Sequence, residues 1–143
     1  MTDFLHLDTW RAFFAAAPFM VDLGVQPTAV SEGRMSTELV VAPRHLQHTG
    51  IVHAGVMATL ADHTMGAAAQ TLVREGQWVL TAELKTSLLR GVAAERLHCQ
   101  AWVLKGGRTI SFTEAEVWAE VDGGRVLVMK ASATMAVTQA RGE

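Results

Sequence analysis

The chain has 143 residues, of which 50% are hydrophobic and 18% are charged, and its formal net charge at pH 7 is −2. This composition excludes a disordered chain, and no apolar run reaches the roughly 18 residues that a membrane span needs. The basic residues are scattered, which excludes a nucleic-acid footprint. From the length and composition we expect one soluble domain over residues 1–143.

The N-terminal segment predicts a short helix. Residues 1–6 lack a basic stretch followed by an apolar one, so no secretory signal is recognised and the cytoplasm is the expected location. Asp8 or Thr9 is a candidate cap for this helix, and Pro18 is expected to end it. Its aromatic residues suggest an amphipathic lid or brace.

Residues 30–41 predict the first long strand, interrupted near Gly33 and closed by Pro43. A helix follows, from Ala54 to about Val73, because nearly every residue there is small or apolar. A helix that is apolar on most sides is wrapped by other structure. Asp62 lies inside it, and a buried carboxylate is costly unless it is hydrogen-bonded or used in chemistry.

Four further strands are predicted over residues 78–89, 97–105, 108–121 and 125–138, with glycine-rich turns at 106–107 and 122–124. In residues 111–121, small and apolar side chains alternate with an aromatic and charged set. The alternation predicts an antiparallel sheet with one face against the helix. The fold class is therefore α+β, with about five strands and one long helix.

Gln47, the run His53-Ala54-Gly55 and Asp62 match a known pattern. They resemble the signature of the hotdog-fold acyl-CoA thioesterases of the PaaI type and of the related hydroxybenzoyl-CoA thioesterases. That signature is a polar residue, His-Gly-Gly, and an acidic residue on the central helix. The resemblance covers roughly residues 20 to 138, and it implies a hotdog fold and an acyl-CoA substrate. No cofactor is expected.

The expected chemistry divides between two groups. Asp62 is a candidate general base or nucleophile. The N–H of Ala54, with Gly55 beside it, is the candidate oxyanion donor, provided that residue 54 is already helical. His53 and Gln47 resemble the family residues that hold the thioester carbonyl or the attacking water, although a capping histidine and a solvated glutamine are the ordinary alternatives.

The spacing along the helix predicts a shared site. Gly55, Thr59, Asp62 and Gly66 recur at helical spacing and form a stripe of small residues beside the carboxylate. Ala54 and Asp62 lie about 12 Å apart along one helix, so one carbonyl cannot touch both. We therefore expect a homodimer with sites across its interface, and the resemblance implies that it is often a dimer of dimers.

Substrate contacts are expected in three places. Relatives carry Ser or Thr one turn after the acid, where this chain has Gly66, and Thr59 or Thr64 is a substitute only if suitably oriented. Some relatives have a histidine near the position of Leu88 and Leu89, so these leucines predict a more apolar acyl pocket in this chain. The basic residues Arg90, Lys105 and Arg108 are candidate partners for coenzyme A phosphates, although each is also an ordinary solvated residue.

Two alternative functions use some of the same residues. A metal hydrolase would use the cluster His45, His48, His53, Asp62 and His63, but its spacing matches no recognised zinc site, so no metal is expected. A non-catalytic acyl-CoA-binding hotdog protein stays open as the alternative.

Overall fold

A computed structural model describes residues 2–139 of the chain. Over that range the helices are Leu7–Ala15 (α1), Pro18–Leu23 (α2) and Ala54–Gln70 (α3). The strands are Gln26–Ser31 (β1), Arg34–Val40 (β2), Gln77–Leu88 (β3), Arg96–Lys105 (β4), Ile110–Val121 (β5) and Gly124–Gln139 (β6). Within this part of the chain, no helix is both long and apolar enough to cross a membrane.

The six strands form one antiparallel sheet in the order β1-β2-β4-β5-β6-β3, which leaves β1 and β3 as its edges. The predicted strand over 30–41 instead holds the end of β1, a turn and β2, which form a hairpin with the rest of β1. The chain turns at Gly33, whose φ of +70° is a left-handed conformation that glycine adopts without strain. The sheet therefore has six strands rather than about five.

Helix α3 packs along one face of the sheet and contacts β2 through β6. The predicted alternation is confirmed, because Ala115, Val117 and Ala119 of β5 are fully buried, whereas the side chains between them are partly exposed. The helix ends at Gln70 instead of near Val73. There the Thr71 hydroxyl donates to Ala68 O and accepts from the N–H of Gly33, which ties the helix end to the β1–β2 turn.

The N-terminal region differs from the sequence prediction in two ways. The cap of α1 is His6, whose Nδ1 accepts from the N–H of Asp8 at 3.3 Å, and neither Asp8 nor Thr9 takes that place. Pro18 begins a second helix rather than only ending the first, because its fixed φ suits a first helical position.

Candidate active site

Asp62 lies in the middle of α3, on the side that the sheet leaves uncovered, and it is half-buried. The hydroxyl of Thr81 donates a hydrogen bond of 2.6 Å to Oδ1 of Asp62. Thr81 belongs to β3 and stands where a bulge shifts the pairing of that strand with β6. A neutral donor on the edge strand therefore orients the carboxylate. Because Asp62 is only half-buried, it is not the deeply buried acid that the sequence suggested.

Asp62 borders a cavity of about 350 Å³ between α1, α3 and the start of β3. Its wall is mainly aromatic, apolar and small. It comprises Trp10, Phe13, Ala17, Asp62, His63, Gly66, Ala67, Gln70, Trp78, Val79, Leu80 and Thr81. The carboxylate thus lies at the edge of a space suited to the apolar part of a small ligand.

The cavity wall is held by contacts between distant segments. Phe13 of α1 packs edge-on against Trp78 of β3, with ring centroids 5.6 Å apart. The amide of Gln70 accepts from the N–H of Val79 at 3.0 Å and donates to Gln77 O at 2.9 Å, which joins the end of α3 to β3. Helix α1 is therefore a brace over the cavity, as its aromatic residues suggested.

His63 is a cavity residue that the sequence offered only as a metal ligand. Its ring stands edge-on to Phe14, with centroids 4.5 Å apart. Burial lowers the pKa of His63 below its ordinary 6.5, although the charge of neighbouring Asp62 acts in the opposite direction. The imidazole is therefore neutral at pH 7. Side chains of adjacent helical residues diverge by about 100°, so no sequence signal indicated that both would border one cavity.

The start of α3 presents hydrogen-bond donors to solvent. His53 is the N-cap, and its Nδ1 accepts from the N–H of Gly55 at 2.8 Å. Because Nδ1 accepts, we assign the proton of the neutral ring to Nε2, which makes the exposed side of His53 a donor. Ala54 is the first helical residue, as its assigned role required, and its N–H has no acceptor within residues 2–139. The Gly55 N–H is already occupied by the cap.

Gln47 begins a tight turn just before α3. Its N–H donates to Ile51 O at 2.9 Å, and its carbonyl accepts from the N–H of Gly50 at 3.0 Å. The same loop is anchored by His45, which is fully buried. Both ring nitrogens of His45 bond backbone groups, Ala42 N and Leu23 O, so this histidine is structural and is unavailable to a metal.

The candidate substrate-binding residues of α3 separate onto two faces. Gly66 lines the cavity, and a Cβ placed there would touch nothing within 4 Å. The hydroxyl of Thr59 donates to Gly55 O. Thr64 is fully buried on the sheet side, where its hydroxyl bonds Leu60 O and the hydroxyl of Thr37. Thr64 therefore cannot take the place of the Ser or Thr that relatives carry after the acid.

The remaining candidates do not border this cavity within one chain. Leu88 and Leu89 lie where β3 ends and are each 51% exposed. Arg90 is near the start of α3. The next residue, Gly91, packs against Ile51 just before that helix, since a Cβ added to Gly91 would lie 2.9 Å from Cδ1 of Ile51.

Arg108 lines a separate cavity of about 500 Å³ together with Arg74, Leu72 and the 106–107 turn. That cavity lies beyond the other end of α3, which is about 25 Å long at 1.5 Å per residue. Arg90 and Arg108 therefore lie at opposite ends of α3 and cannot bind one phosphate within a single chain.

Two adjoining surfaces are at least partly exposed within residues 2–139. One is the side of α3 that carries the half-buried residues Thr59, Asp62 and Gly66. The other is β3, an edge strand on which every residue from 80 to 88 is exposed, including Leu80 at 63% and Leu84 at 38%. An unpaired edge strand is a template for pairing with another chain.

Comparisons with known proteins indicate the family to which this chain is similar. A family model described as the thioesterase superfamily matches residues 49–126. A putative esterase from Caenorhabditis elegans is 35% identical over 100 residues, 69% of this chain and 59% of that protein. The proofreading thioesterase EntH from Klebsiella pneumoniae is 30% identical over 98 residues, 68% of this chain and 72% of that protein. The match thus spans less than two thirds of the worm protein.

Solved structures give the same result for the fold. A thioesterase family protein from Silicibacter pomeroyi superimposes with a TM-score of 0.88 at 32% identity, covering 91% of this chain and 96% of that one. A thioesterase from Haemophilus influenzae superimposes with a TM-score of 0.86 at 21% identity, covering 96% and 94% of the two chains. At that lower identity, the second comparison bears on the fold alone.

Proposed function

The chain belongs to the thioesterase superfamily and has a hotdog fold, and from this premise we propose that it hydrolyses an acyl-CoA thioester to a free acid and coenzyme A thiol. The observation that carries the proposal is the Asp62 carboxylate, oriented by Thr81 at 2.6 Å beside an apolar cavity. The PaaI-type assignment and the cytoplasmic location stay predictions.

Asp62 is the proposed general base or nucleophile. With Oδ1 bonded to Thr81, Oδ2 is the oxygen left for a water or for the carbonyl carbon. In the general-base route, the carboxylate takes a proton from water, whose oxygen bonds the carbonyl carbon. The C–S bond then breaks, and the coenzyme A sulfur leaves as a thiolate that is protonated. In the nucleophilic route, Oδ2 attacks the carbonyl carbon first, the C–S bond breaks to release the thiolate, and water then cleaves the resulting anhydride to regenerate Asp62 and free the acid.

The proposed oxyanion donor is the N–H of Ala54. It stands at the positive end of the α3 dipole and lacks an acceptor within residues 2–139. The Nε2–H of His53 and the amide of Gln47 are proposed to hold the thioester carbonyl or the attacking water. Gly55 serves by accommodating the His53 cap, since its own N–H bonds that ring.

The two halves of the site do not meet within one chain. Ala54 and Asp62 are separated by about 12 Å along α3, so one carbonyl cannot touch both. An antiparallel second copy of α3, laid on the uncovered side of the first, would bring the Asp62 of one chain to the Ala54 of the other. The exposed edge of β3 offers a continuous pairing surface for the same copy. We therefore propose a homodimer, with a dimer of dimers as a further prediction.

The proposal is tested by measuring thiol release from a panel of aromatic and aliphatic acyl-CoA esters. We expect turnover by the wild-type protein and loss of most kcat in Asp62→Asn, because Asn is nearly isosteric but is neither a base nor an effective nucleophile. Retained acyl-CoA binding and an unchanged circular dichroism spectrum would confirm that this variant is folded.

Two outcomes would contradict the catalytic proposal. Near-normal kcat in a folded Asp62→Asn protein would remove Asp62 from the mechanism. Tight acyl-CoA binding by the wild-type protein without thiol release would favour the non-catalytic binding function instead.

A further inference from the structure

The cavity beside Asp62 contains one half-buried polar side chain that has no hydrogen-bond partner within residues 2–139. The Thr81 hydroxyl bonds Asp62, the Gln70 amide bonds the backbone of β3, and the indole N–H of Trp10 donates to Phe4 O at 2.8 Å. Among the side chains of this lining, Trp78 and His63 have no hydrogen-bond partner within residues 2–139. Trp78 is 41% exposed and reaches solvent, whereas His63 is half-buried.

The chemistry of His63 differs from that of the surrounding wall. Its ring is fixed edge-on against the buried Phe14, with centroids 4.5 Å apart. As a neutral imidazole it offers one N–H donor and one nitrogen acceptor. An apolar ligand filling the cavity would displace water from the imidazole without offering it a hydrogen bond, which carries a desolvation cost.

Resting on the thioesterase function proposed above, we propose that His63 determines substrate specificity by hydrogen-bonding a neutral polar substituent on the acyl group. The aromatic wall of Trp10, Phe13 and Trp78 then holds the apolar body of the same group. Hydroxyl and carbonyl groups fit the role, because each can bond an imidazole nitrogen.

Charge and size narrow the substrate class. A carboxylate substituent is disfavoured because Asp62, the other ionisable residue of this lining, is an acid beside His63. A cavity of about 150 Å³ is large enough for benzene. The 350 Å³ here therefore has room for a ring or a short chain that carries one polar substituent.

The test compares matched thioesters that differ by one hydroxyl: phenylacetyl-CoA with 4-hydroxyphenylacetyl-CoA, and octanoyl-CoA with 3-hydroxyoctanoyl-CoA. For at least one pair, we expect the wild-type kcat/KM to favour the hydroxylated ester. His63→Leu should lower that preference about tenfold, mainly through KM, because one hydrogen bond is lost. His63→Gln, which keeps a donor and an acceptor, should restore part of it.

A control on the brace helix α1 isolates the effect of the imidazole. Arg11→Ala removes an exposed ion pair with Asp8 on α1 and should keep the wild-type preference, because surface pairs contribute little. Two outcomes would overturn the role of His63 while leaving the proposed function in place. They are an unchanged preference in an active His63→Leu protein and a wild-type preference for the apolar ester in both pairs. Absence of thiol release from every ester would instead overturn the proposed function, and this inference with it.

Discussion

Thr81 of β3 donates a hydrogen bond of 2.6 Å to Oδ1 of Asp62 on α3, so the orientation of the carboxylate depends on the edge strand of the sheet. The same strand is joined to the end of α3 by the amide of Gln70. Because β3 is also the exposed edge proposed to pair with a second copy, assembly and orientation of the carboxylate depend on one element.

Thr81→Val should lower kcat about tenfold or more at saturating acyl-CoA. Valine keeps the shape of threonine but removes the donor, and a hydrogen bond to a charged group contributes roughly 1.5–3 kcal/mol. Thr81→Ser retains the hydroxyl and should keep most of the wild-type kcat. Equal kcat values for the valine and serine variants would show that this hydrogen bond has no part in turnover.

Gly55→Ala should impair activity by displacing the imidazole of His53. A Cβ at residue 55 would lie 3.0 Å from Nδ1 and 3.2 Å from Cε1 of that ring, so the ring must move. A double-mutant cycle with His53→Ala checks the route. If the substitution acts through His53, adding Gly55→Ala to His53→Ala should cost little further kcat/KM. Fully additive losses would contradict this explanation.

Mixing two inactive variants should restore activity if each site is shared between subunits. Gln47→Ala and Asp62→Asn damage opposite halves of a site, so a heterodimer would hold one doubly damaged site and one intact site. Random equal mixing makes about half the dimers mixed, which returns roughly a quarter of wild-type activity.

The mixing experiment requires that Gln47→Ala alone be strongly impaired and that labelled subunits prove exchange. Activity no greater than the average of the two parents, with exchange demonstrated, would exclude the site across the subunit interface.

As the pH is lowered, the free energy of unfolding should decrease more steeply in the wild-type protein than in His63→Leu. Burial holds the pKa of His63 below its ordinary 6.5, so the unfolded chain binds this proton more readily than the folded one. The stability linked to His63 is therefore complete above pH 6.5 and is lost as the pH falls below it. Urea midpoints at pH 7.5 and 5.5 measure the effect, and identical shifts in both proteins would contradict it.

Cys99 should not react with a thiol reagent in the native protein at pH 8. Complete burial raises the pKa of its thiol to about 12, although hydrogen bonds with Thr64 and Thr37 act in the opposite direction. The chain has one cysteine, so a single reacting group is counted, and it should appear only in denaturant. Rapid labelling of the folded protein would show that this part of the core opens readily.

The sequence by itself determined the α+β class, the start of α3 at Ala54 and the alternation of β5. Each depends on neighbours in the chain: the period of apolar residues selects helix or strand and the buried face. The turn between β5 and β6 is equally local, because Asp122 and Gly123 both have positive φ, as a tight hairpin turn requires.

The tertiary structure decided which side chains meet at the site. Thr81 is 19 residues from Asp62, and only the pairing of β3 beside α3 brings its hydroxyl to the carboxylate. The sequence placed Thr64 and His63 on the same helix as Asp62. Packing against the sheet buried Thr64 on one side and left His63 in the cavity on the other, because the side of a helix that meets a sheet is set by contacts between residues distant along the chain.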